Sequence, residues 1–167
     1  MELRCSASLR SRAVAVVALV LTAAGPVSAS ELPRFTVDEF AGRVVIVDFW
    51  ASWCVPCRRS FPWLNAMRDK YAADGLVIVG VNLDIERAEA DRFLAQYPAD
   101  FDVYFDVDKQ LARQFEVTAM PSSYVIGRDG ELVARHLGFQ VRKQAEYESI
   151  IAEALRRGSE SGTGESH

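Results

Sequence analysis

Cysteine is scarce in this chain. Cys5, Cys54 and Cys57 are the only three among 167 residues, too few for a disulfide framework. Histidine is scarcer, with only His136 and His167. A structural zinc site takes four ligands. Cys54, Cys57, His136 and His167 would all be needed, and His167 ends a polar tail. No run of Lys and Arg exceeds two residues, and the formal charge is -4. That excludes the basic stripe of a nucleic-acid binder. The chain has no internal repeat, and its length fits one domain of ordinary size. Long apolar runs are missing too. Residues 13–24 make a run of about a dozen, short of the roughly 20 that a bilayer-spanning helix needs.

What surrounds that run is informative. Arg4, Arg10 and Arg12 precede it, Gly25-Pro26 breaks it, and Val27-Ser28-Ala29 supplies small residues at a cleavage position. The pattern is that of a secretory leader over residues 1–29; an uncleaved anchor is the other reading. Cys5 has no lipobox before it, so a lipid anchor is not expected. Cleavage would remove Cys5, three Arg and one Glu, leaving 16 basic and 22 acidic residues, net -6. The mature chain would then carry only Cys54 and Cys57, in an oxidising compartment.

Beyond the leader, residues 31–43 form a lead-in with one helical turn expected over 37–40. Residues 44–49 (Val-Val-Ile-Val-Asp-Phe) predict a strand apolar on both faces. Residues 55–73 predict a helix carrying Phe61, Leu64, Met67 and Tyr71, kinked by Pro62 and ended by Asp74-Gly75. A second buried strand is expected over 76–83, an amphipathic helix over 85–97, a short strand over 103–105 and a short helix over 109–115. Strands over 122–126 and 131–136 flank the turn signal Arg128-Asp129-Gly130. A last helix is expected over 141–157. Residues 158–167, rich in Gly, Ser, Glu and Thr, cannot bury a face and are expected to be disordered. The order is β-α-β-α-β-α-β-β-α, with a parallel crossover first and a hairpin after it.

The chemistry starts at Cys54-Val55-Pro56-Cys57, where the first strand runs into the first helix. A structural disulfide across two residues removes little loop entropy. A redox pair needs only the two sulfurs and a helix start, whose amide dipoles stabilise a thiolate. On this reading Cys54 is the nucleophile and Cys57, deeper by one turn, resolves the mixed disulfide. Pro56 suits a first-turn position. Val55 brings no charge, and the absence of a His there leans toward a reductant. Asp48 lies six residues before Cys54 in an apolar strand. Burial should raise its pKa and let it take the Cys57 proton; an edge carboxylate in solvent is the plainer alternative. One of the two tryptophans Trp50 and Trp53 is expected in the core, with Trp53 shielding Cys54 and offering an apolar docking surface. Met120-Pro121 stands just before a strand, a weak signal alone because most X-Pro bonds are trans.

Phe49-Trp50-Ala51-Ser52-Trp53-Cys54-Val55-Pro56-Cys57, with Met120-Pro121-Ser122-Ser123-Tyr124 about 60 residues on, resembles the thioredoxin superfamily. The exported TlpA-like and ResA-like thiol–disulfide reductases are the nearest branch. The leader, the segment Gly75 to Asp84 and an extra helix–strand segment near 85–106 point there. The resemblance covers residues 34–157, within a domain set at 30–157. It implies a thioredoxin-like three-layer α/β/α sandwich with a mixed central sheet and an inserted helix–strand segment. It also implies a cis Met120-Pro121 facing Cys54, with Trp53, Val55, Pro56, Met120 and Pro121 contacting substrate. It implies no metal and no organic cofactor, only the redox-active Cys54–Cys57 disulfide. The implied partners are exported proteins with disulfides, such as apocytochrome c or copper-site proteins, and a membrane electron donor of the DsbD or CcdA type. A periplasmic monomer is expected. Two departures stand out. Ser60 occupies the place where many ResA-like members carry Glu, and Asp48 supplies a strand acid that many of them lack. A thiol oxidase or isomerase is the nearest alternative. A copper-binding chaperone would need a Met/His cluster that the chain lacks. A peroxidase would need a Pro-x-x-x-Thr-x-x-Cys pattern, also absent. Arg58 and Arg59 could support the thiolate or simply form a solvated helix face.

Overall fold

A computed structural model describes residues 37–160. The expected leader and residues 161–167 lie outside the described residues. The chain runs from a 3₁₀ turn (Val37–Phe40) into β1 (Val44–Trp50), α1 (Cys57–Tyr71), β2 (Leu76–Asn82), α2 (Arg87–Gln96) and β3 (Asp102–Phe105). Then come α3 (Gln110–Gln114), β4 (Ser122–Ile126), β5 (Leu132–Leu137), a second 3₁₀ turn (Val141–Lys143) and α4 (Gln144–Glu160).

The strands form one sheet in the order β3-β2-β1-β4-β5. β1 pairs in parallel with β2, and β2 with β3, while β4 runs antiparallel to both β1 and β5. The sheet is therefore mixed, and β1 is its centre. All seven residues of β1 are buried, because helices cover both faces. Val44 and Ile46 pack with Leu64 and Met67 of α1 and with Ile151 and Leu155 of α4. Val45, Val47 and Phe49 face the other way, onto Leu111, Tyr124 and Ile126. The expected α/β/α sandwich with a mixed sheet is what the chain forms, and α2 and β3 are its inserted helix–strand segment. Ala90 and Phe93 of α2 pack against Trp50 and Phe61, beside the two cysteines.

The differences from expectation are at element ends. α1 begins at Cys57 rather than residue 55, because the chain first tightens through three-residue steps. The Cys57 N–H bonds to the Cys54 carbonyl and the Arg58 N–H to that of Val55, a 3₁₀ start. Pro56 is the N-cap, and its carbonyl receives the Ser60 N–H at 3.1 Å. Pro62 lies inside the helix and cannot donate to the Arg58 carbonyl. The expected last helix divides into a 3₁₀ turn and α4, which continues to Glu160. Gly158 weakens a helix by about 1 kcal/mol but does not end one, and α4 is anchored by Ile151, Ala154 and Leu155.

Candidate functional site

The C-terminal ends of the parallel strands β1, β2 and β3 open on one edge of the sheet, and β4 begins there. This edge is where the loops of α/β sheets carry ligands. Residues 51–56 follow β1 and lead through Cys54 to Cys57. The two cysteines form a disulfide, with Cα atoms 5.3 Å apart. Cys57 has no exposed surface and Cys54 only 3%, so the expected order of depth holds. The Cys57 backbone N–H donates to the Cys54 sulfur at 3.3 Å. The first amide of α1 thus points at the more accessible sulfur, where a negative charge would be held.

The rim of this edge is apolar and exposed. Trp53 is 63% exposed and Val55 57%, while Trp50 is fully buried, in contact with Phe61 and Phe93. Ile85 and Val107, in the loops after β2 and β3, are also exposed. The Met120-Pro121 bond is cis. Met120 packs against the cluster that contains Cys54 and Cys57, and Pro121 is buried. Arg58 and Arg59 are exposed on α1, and Arg58 lies 6.0 Å from the centre of the Tyr97 ring. Ser60 is buried and donates to the Cys57 carbonyl.

Asp48 is buried completely, which removes the reading of a solvated edge carboxylate. It stands between Gly80 of β2 and Ser123 of β4 in the sheet. Ser123 Oγ donates to Asp48 Oδ1, and Oδ2 has no partner. Burial pushes the carboxyl up from 3.8 to about 7, against the lowering effect of the Ser123 hydrogen bond. The cause is loss of water around the charged form.

Ser52, Asn82 and Asp84 were not singled out in the sequence, and the structure places them at the base of the cysteine loop. Asp84 is 6% exposed. Its carboxylate accepts from the Ser52 N–H at 3.0 Å, the Ser52 hydroxyl at 2.9 Å and the Asn82 amide at 2.8 Å. Asn82 Oδ1 in turn accepts the Asp84 N–H. The loop entering Cys54 is thereby tied to the end of β2. The polar pair in Val81-Asn82-Leu83-Asp84, closing an apolar strand, was the signal available. Among the described residues no group of three or more His, Cys, Asp and Glu is placed to hold a metal. Among the same residues no helix is long and apolar enough to cross a membrane.

A mixed five-stranded sheet, a Cys-x-x-Cys at the start of the helix after the central strand and a cis proline opening the next hairpin define a thioredoxin-fold protein of the TlpA/ResA-like kind. The Redoxin family matches residues 19–151, and the chain belongs to that family. It is 28% identical over 113 residues to the thiol-disulfide oxidoreductase ResA of Bacillus cereus, spanning 68% of this chain and 65% of that protein. ResA of Oceanobacillus iheyensis is 31% identical over 104 residues, 61% of this chain and 54% of that one. The chain thus spans just under two thirds of the length of the curated relatives it matches first. Among solved structures, a putative thiol:disulfide interchange protein DsbE from Chlorobium tepidum is 47% identical, with a TM-score of 0.69, covering 71% of this chain and 84% of that one. StoA from Bacillus subtilis shares the fold, with a TM-score of 0.57 at 23% identity over 65% of this chain and 84% of that one.

Proposed function

We propose that this protein is an exported thiol–disulfide oxidoreductase that reduces disulfides in other exported proteins. The observation that carries the reading is the first amide of α1 aimed at the Cys54 sulfur, at an edge rimmed by exposed Trp53 and Val55. In the reduced protein the Cys54 thiolate attacks a substrate disulfide, and one substrate sulfur leaves. Cys57 gives its proton to Asp48 and attacks Cys54. The substrate's second sulfur is released, and the Cys54–Cys57 disulfide closes. Two electrons pass to the substrate, and the disulfide itself is the only redox group required. A carboxyl near pH 7 is matched to taking and returning a proton at neutral pH. An extended substrate segment pairs with the backbone before Pro121 by strand addition.

The leader-like residues 1–29 and the named ResA and DsbE similarities support a periplasmic location. On this reading electrons come from a membrane donor of the DsbD or CcdA type, and apocytochrome c or copper-site cysteines are the substrates. The protein acts as a monomer on this reading. The test is the reduction potential of the Cys54–Cys57 pair, from equilibration in dithiothreitol or glutathione buffers read by tryptophan fluorescence. A value near or below about -220 mV supports a reductase; one near about -120 mV makes the pair an oxidant and overturns the direction.

A further inference from the structure

We propose that Ser123 and His136 carry the Asp48 proton from the centre of the sheet to solvent at the edge strand β5. The proposal rests on the proton-handling role given to Asp48 above. Asp48 has no exposed surface, so a proton it accepts needs a path out. The pairing registers place Asp48 opposite Ser123, and Ser123 opposite His136. Directly paired residues project to the same face. Three polar side chains therefore form one row from the central strand to the edge. The neighbouring row on that face is Ile46, Val125 and Ala134, wholly apolar.

The first link is made by the Ser123 hydroxyl on Asp48. Ser123 and His136 then line one small cavity with Trp63, Val125 and Tyr147. Its volume is about 10 Å³, at the lower limit for one water. His136 Nε2 is buried without a protein partner, and buried polar atoms are normally paired with protein or water. The imidazole itself is only partly buried, so it can exchange with solvent. It packs on Tyr147 of α4 at 4.5 Å. Burial favours the neutral ring, Glu146 of α4 opposes it, and Lys143 of the preceding turn adds to the effect of burial. A neutral ring can receive a proton. The Ser123 hydroxyl, which donates to the carboxylate, turns to accept from the acid. It releases its own proton through a bridging water to Nε2, and the imidazolium loses it to solvent. Both residues act through Asp48 and are positioning residues.

The probe is the mixed disulfide formed when reduced protein meets Ellman's reagent. Attack of Cys57 on Cys54 releases thionitrobenzoate, read by absorbance. At neutral pH Asp48 that already carries a proton must lose it before it can take that of Cys57, so Ser123→Ala and His136→Ala should each slow release of this second thionitrobenzoate about tenfold, and free imidazole should restore His136→Ala but not Ser123→Ala. His136→Gln, which keeps a polar side chain of similar length but no titratable nitrogen, should be slowed as well. Neither variant should slow release further in an Asp48→Asn background. Unaltered release in both single variants, or a loss in His136→Ala that imidazole does not restore, overturns the path. If Asp48→Asn itself leaves release unchanged, it is the role of Asp48 that fails.

Discussion

Trp53 and Trp50 are three residues apart and lead opposite lives. Trp50 is the largest fully buried side chain, whereas Trp53 keeps 63% of its surface in water. The exposed ring contributes little to folding, so Trp53→Ala should leave stability within about 0.5 kcal/mol. If it docks substrate, the same change should raise KM for a protein disulfide with little effect on kcat, as steady-state kinetics would show. Gly80 is a contrasting case. A Cβ there would meet the Phe101 ring at 2.9 Å and Trp50 Nε1 at 3.1 Å. Gly80→Ala should cost about 1–3 kcal/mol in denaturant unfolding. Cys54, Cys57 and Asp48 were legible in the sequence because spacing and apolar context announce them. Ser123 was not, since a serine in a strand gains meaning only when pairing sets it opposite Asp48.

The loop between β1 and α1 shows how elements cooperate. Asp84, just past β2, holds it through bonds across 32 residues of sequence. Asp84→Ala would leave the buried Asn82 amide without this partner and free the Ser52 N–H. The expected loss is about 1.5–3 kcal/mol in denaturant melts. Every strand and helix of the fold could be read from apolar runs and turn residues, with most ends shifted by one or two positions. The start of α1 moved because the Cys54–Pro56 turn follows backbone bonding that composition does not encode. Asn65 of α1 is a similar case: it accepts from the Asp100 N–H and donates to the Pro98 carbonyl, tying the inserted segment to the helix. Neither an asparagine nor a proline at those positions predicts the other.

For the whole molecule, one buried acid sets a pH dependence. A folded-state pKa of about 7 against 3.8 means that the folded protein binds more protons than the unfolded chain between those values. The stabilisation is complete below about pH 4 and is lost as pH rises through about 7. The gap corresponds to about 4 kcal/mol. Thermal or urea melts should therefore show the wild type losing stability from pH 4 to 8 relative to Asp48→Asn, whose curve lacks this slope; parallel curves would contradict it. The bond that holds Asp48 also has a history. Ser123 joins it across 75 residues of sequence, and Asp84 reaches Ser52 across 32. While the polypeptide is still emerging, Cys54 and Cys57 are two ordinary thiols three positions apart. Asp48 gains its Ser123 partner only after the chain has been made through β4 and has folded onto β1. Whatever proton handling Asp48 lends to the two sulfurs therefore arrives with the closing of the sheet and not before it.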